Sequence, residues 1–147
     1  MSDIIILKES LLYSAGYKYQ VRGDFTVHIP ALVEFGTIRY DFLRLENGNL
    51  TVLKGFAWDG ASGLTFDTDS SMRGSCIHDA IYRLIRQKLL PESQKELADD
   101  ILWFVCVKDG MWEWRANIWH LAVDKCGGSS VDPENKKKIK VAPCDGS

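Results

Sequence analysis

His78, Asp79, Tyr82 and Arg83 fall together in one helical pattern, with Asp59 before it and Asp99 after it. An imidazole exchanges protons near neutral pH. Carboxylates beside it can orient the ring, act as general bases, or hold a hard divalent ion that activates water. The chemistry such a set suits is hydrolysis. His78, Asp79 and Asp59 are the candidate catalytic groups, and His78, Asp79 and Asp99 are the candidate ligands of a divalent metal ion. Neighbours on a helix point about 100° apart, so His78 and Asp79 share a pocket only from a helix edge. One turn further on, Tyr82 follows His78 and Arg83 follows Asp79, placed to orient a substrate or the carboxylates.

The same residues have a structural reading. Asp79 lies beside an apolar stripe and needs a partner there, and Arg83 is the nearest one. The set is then a polar staple joining loop to helix. Two nucleophile arrangements are less well supported. Cys76 and His78 face opposite sides of a helix, which leaves His120, from a later helix, as the partner for a cysteine nucleophile. Gly60-Ala61-Ser62-Gly63 lacks the G-x-S-x-G elbow of serine hydrolases.

These groups lie where a strand-rich half gives way to a helical half. Ile4 to Leu7, Tyr17 to Val21 and Phe25 to Ile29 read as short strands, the last stopped by Pro30; Leu11 to Tyr13 is ambiguous. Ile38 to Glu46 and Asn49 to Lys54 flank Asn47-Gly48, a hairpin signal whose turn residues accept positive φ. Met72 to about Lys88 is helical, with Ile77, Ala80, Ile81, Leu84 and Ile85 as its apolar stripe and candidate caps within Asp67 to Ser71. A second helix opens near Pro91 with a capping box at Ser93 and Glu96 and ends at Gly110; a third runs from about Met111 to Lys125. The short connection between the first two makes them an antiparallel hairpin, which brings Asp99 towards His78 and Asp79. Strands first and helices second predict an α+β fold: an N-terminal antiparallel β-sheet with a hairpin and a C-terminal three-helix layer packed on it. Residues 1–128 form this domain, and residues 129–147, with Lys136-Lys137-Lys138, read as a flexible tail. Trp112 and Trp114 have two readings, as cover for the sheet or as an exposed binding surface.

The chain has 147 residues and a formal net charge of -2, which argues against a specific nucleic-acid partner. Its apolar runs fall short of a membrane span. No two of Cys76, Cys106, Cys126 and Cys144 form a C-x-x-C pair; Cys76 and Cys106 read as core, and a Cys126–Cys144 bridge is disfavoured in a reducing cytosol.

Gly55-Phe56-x-x-Asp59-Gly60-Ala61-Ser62, then His78-Asp79-x-x-Tyr82-Arg83, Ala98-Asp99, Gly110, Ala122-Val123 and Gly127, resembles the phage and prophage family called domain of unknown function 1353. Asp59, Ser62, His78, Asp79, Tyr82, Arg83 and Asp99 match its motif positions. The resemblance implies a bacteriophage-encoded small protein, acting in the host cytoplasm or in the virion, and adds Ser62 to Tyr82 and Arg83 as a substrate-binding position. Trp58 departs from the pattern, which more usually has a small polar residue there, as does Gly63-Leu64, where an apolar residue and proline are usual. Two functions follow as expectations. One is a hydrolase-like polar site, metal-assisted or not, turned on cell wall or a host nucleotide. The other is a non-enzymatic virion, tail-accessory or host-interaction module, partnered by phage structural proteins or a host protein, in which the same residues are a structural staple.

Overall fold

The computed structural model describes residues 4–16, 18–59 and 69–126. Ser62 and its loop, the Asp67 and Thr68 cap candidates, the Cys126–Cys144 pairing and the tail at 129–147 lie outside the described residues. The order is β1 (Tyr13–Ser14), β2 (Tyr19–Val21), β3 (Phe25–His28), a 3-10 turn (Pro30–Phe35), β4 (Thr37–Tyr40), β5 (Leu43–Glu46), β6 (Asn49–Val52), β7 (Ala57–Trp58), α1 (Asp69–Arg86), a short 3-10 turn (Glu92–Gln94), α2 (Lys95–Lys108) and α3 (Glu113–Cys126). The fold is α+β, with two antiparallel sheets rather than one: β1-β2-β7 and β3-β6-β5-β4.

The expected hairpin forms at Asn47-Gly48, where β5 and β6 pair Glu46 with Asn49 and Leu45 with Leu50. Both turn residues have positive φ, 48° and 83°, which asparagine and glycine accept. The expected first arm, Ile38 to Glu46, is two strands. The chain reverses at Asp41-Phe42, so that Tyr40 pairs with Leu43 and Ile38 with Leu45. Asp41 takes a φ of 49°, a conformation its short polar side chain tolerates better than most. This reversal explains the imperfect alternation. Leu43 and Leu45 are buried while Ile38 and Tyr40 pack at the edge of the same core. Ile4 to Leu7 is not a strand; Ile6 makes only an isolated bridge to His28.

α1 buries Ile77, Ala80, Ile81, Leu84 and Ile85, the stripe read from sequence, together with Met72 and Cys76. It ends at Arg86 because Lys88 turns left-handed, with a φ of 61°, and Lys88 and Leu89 donate back to the Ile85 and Leu84 carbonyls. α2 ends the same way with a better-suited residue: Gly110 and Met111 donate to Val107 and Cys106, and Gly110 has a φ of 105°. The expected capping box is not formed. Ser93 lies within the 3-10 turn, and Gln94 occupies the α2 cap without a side-chain bond.

α1 and α2 cross closely at Gly74. A Cβ there would stand 2.9 Å from Cys106 Sγ and 3.2 Å from the Leu102 carbonyl oxygen. Gly74→Ala is therefore expected to overpack this crossing and to cost roughly 1–3 kcal/mol in a urea melt. A melt at or above wild type would show the helices free to separate.

α3 packs on α2 through Ala116 and Trp119, which join Leu102, Cys106 and Met111 in a second small core. Trp112 and Trp114 do not cover a sheet; they are 71% and 59% exposed.

Candidate functional site

Two helical pairs, each spaced by one turn, face one another across the α1–α2 hairpin. α1 presents His78 and Tyr82, whose ring centroids are 4.0 Å apart. α2 presents Lys95 and Asp99. The Asp99 carboxylate, 1% exposed, is the centre. Its Oδ1 is 2.8 Å from His78 Nε2 and accepts from the Tyr82 hydroxyl at 2.5 Å. Its Oδ2 accepts from Lys95 Nζ at 2.8 Å. Lys95 Nζ also donates to the Val123 carbonyl at 3.2 Å, carrying the network into α3.

Burial is the largest influence on Asp99 and opposes its ionisation, but the bonds from His78, Lys95 and Tyr82 together outweigh it and hold the carboxyl below its usual range. Asp99 is thus ionised at neutral pH and can only accept. The bond then requires a proton on Nε2 of His78, and in the neutral ring the lone pair lies on Nδ1. Among the described residues Nδ1 has no hydrogen-bond partner.

The other candidates form separate pairs. Asp79 meets Arg83 at 3.3 Å, one turn on along α1. Arg83 also donates to the Ala57 carbonyl at 2.9 Å and lies over the Phe56 ring at 4.4 Å, tying α1 to β7. Asp59, just past β7, pairs with Lys18 at 3.2 Å and is about half exposed. The structure brings together His78, Tyr82 and Asp99, with Asp79 and Arg83 on the neighbouring helix edge; Ser62 lies outside the described residues.

Among the described residues no three of His, Cys, Asp and Glu are placed to hold a metal ion. A divalent ion on Asp99 would have to displace the Lys95 ammonium, so this donor set does not fit one as it stands. The cysteine nucleophile loses its support. Burial, followed by the charge of Asp79, pushes the Cys76 thiol far above its usual range, and His120 pairs with Asp100 at 2.8 Å. Burial likewise pushes Cys106 up to about 12. Thiols so disfavoured as thiolates are poor nucleophiles.

Lys95 escaped the sequence reading, although its spacing of four from Asp99 is the ordinary signature of a helical ion pair. So did the bidentate Arg73–Asp109 pair. It lines an open cleft of about 420 Å³ with Tyr13 and Asp69, near the start of α1 and on a different part of the helix from His78. Arg73 is committed there to Asp109 and to the Glu9 carbonyl.

No family model matches the chain, and neither the curated proteins nor the solved structures yield a match. No described helix is long and apolar enough to cross a membrane.

Proposed function

We propose that this chain is a small phage-encoded hydrolase in which His78, oriented by Asp99, is the general base. The observation that carries the reading is the bond from His78 to a buried, ionised carboxylate, with the opposite ring nitrogen unpartnered among the described residues. Nδ1 takes a proton from water as the water oxygen attacks the electrophilic centre of the substrate. Asp99 stabilises the imidazolium that forms, and the proton passes from Nδ1 to the leaving group. Tyr82 and Lys95 keep Asp99 charged and in place. Arg83 and Asp79, on the adjacent edge of α1, are the groups available to orient a substrate, and Asp59 and the Ser62 loop complete the motif set on the sequence side. The phage origin rests on the motif resemblance.

Nitrogen-15 spectra of the imidazoles provide a test that needs no substrate: the neutral form of His78 should be the Nε2–H tautomer, and Asp99→Asn should weaken that preference. In a screen of ester, amide and phosphoester substrates, Asp99→Asn and His78→Ala should each reduce turnover by about 10²–10⁴-fold. Turnover unchanged in His78→Ala would sink the assignment.

The non-enzymatic reading keeps one specific observation in its favour. Three donors engage both Asp99 oxygens, and through Lys95 the network joins all three helices, as a staple would. Under it His78→Ala would cost roughly 1–3 kcal/mol of stability, with no activity to lose.

A further inference from the structure

α3 is apolar on two opposite sides. One side, Ala116 and Trp119, is buried against α2. The other carries Trp114, Ile118 and Leu121, spaced four and three residues apart on one helical face and 59%, 51% and 53% exposed. Trp112 extends this face beyond the start of the helix, its ring 6.1 Å from that of Trp114. A helix apolar on both sides belongs between two layers. Among the described elements, α2 supplies one layer and the other side is open.

We infer that the open side is the two-fold interface of a homodimer, α3 against α3 of a second copy. Area favours this occupant. The patch exposes roughly 500 Å² per chain, near the upper end for a soluble monomer. Two such patches would bury about 1,000 Å² in total, the threshold of a specific protein interface. The pattern also suits a two-fold. The stripe has its midpoint close to Ile118, so antiparallel α3 helices place Ile118 beside its mate and the large Trp114 of one chain against the smaller Leu121 of the other. Large then meets small along the seam, and the helix dipoles oppose. The helix does not suit a bilayer: Glu113 and Arg115 carry opposite charges beside the stripe, without the basic face that lipid-binding helices show. An interface of this size gives a weak dimer whose population depends on concentration. The inference is independent of the hydrolase reading.

Sedimentation velocity of the full chain, from micromolar to near-millimolar concentration, tests it. Wild type should pass from monomer to dimer over that range. Ile118→Glu and Leu121→Glu should remain monomeric at every concentration, with the circular dichroism of wild type. A second variant fixes the geometry and does not rely on disruption. With Cys126 and Cys144 replaced by serine, Ile118→Cys should cross-link into a covalent dimer under mild oxidation, and Glu113→Cys, far from the axis, should cross-link much less. Wild type monomeric throughout, or a dimer that persists in Ile118→Glu, would overturn the proposal; the stripe would then be covered by another protein or by this chain's own C-terminal segment.

Discussion

Asp99→Ala is expected to lower the unfolding free energy by roughly 3–5 kcal/mol, because it strips the shared acceptor from three donors and leaves a lysine ammonium without its buried counter-charge. Asp99→Asn keeps the volume and one acceptor, and should cost less. The effect should also depend on pH, with a definite sign. The folded protein holds the Asp99 carboxyl below its ordinary value of 3.8. A group whose pKa is depressed by folding contributes stability above its unfolded pKa and loses that contribution as pH falls through the folded value. The gap between wild type and Asp99→Ala in urea melts should therefore be widest near neutrality and narrow below about pH 4. A gap that stays constant down into that range would mean that packing, and not the charge, accounts for the loss.

Trp58→Ala should be comparably severe, at roughly 3–5 kcal/mol. Trp58 is among the largest fully buried side chains, 1% exposed. Its ring packs against Tyr19 at 5.6 Å, Tyr13 at 6.2 Å and Phe56 at 6.4 Å. Its indole N–H donates to Ser75 Oγ at 3.1 Å, which pins the three-stranded sheet to α1. Trp58→Phe retains much of the apolar contact and should recover about half of the loss, since Ser75 keeps a second bond to the Met72 carbonyl. The check is the urea midpoint of each variant. A Trp58→Ala protein within 1 kcal/mol of wild type would mean that the sheet does not depend on this anchor. The Trp58 side chain is thus committed to the core.

The sequence was most legible where a single periodicity governs. The α1 stripe, the Asn47-Gly48 turn and the Gly110 stop each follow from local rules, and the short α1–α2 connection sufficed to bring Asp99 to His78. It was least legible where two local signals compete. The run from Ile38 to Glu46 reads as one arm because Asp41-Phe42 carries no glycine or proline, although aspartate can turn the chain. Ser93 and Glu96 match a capping box, but Pro91 starts a 3-10 turn that places Ser93 inside it. Within the site, the spacing of four that marks Arg83 as the partner of Asp79 holds in the fold, whereas the Lys18–Asp59 pair joins residues too distant in sequence for any local rule to connect. Lys95 is hard to read because a lysine at the start of an exposed-looking helix resembles ordinary surface charge until the helix opposite, with His78 and Tyr82, buries the aspartate one turn on.

Lys95 divides one ammonium between the Asp99 carboxylate and the Val123 carbonyl, so the attachment of the outermost helix and the protonation of the site are thermodynamically linked. Linkage is reciprocal. Whatever clamps α3, a second copy included, must make the Asp99 proton easier to remove, and acid that restores that proton must ease α3 away. Amide exchange in the last turns of α3 would then report on the charge of a buried carboxylate in the neighbouring helix, and an oligomerising surface would act on that charge from a distance.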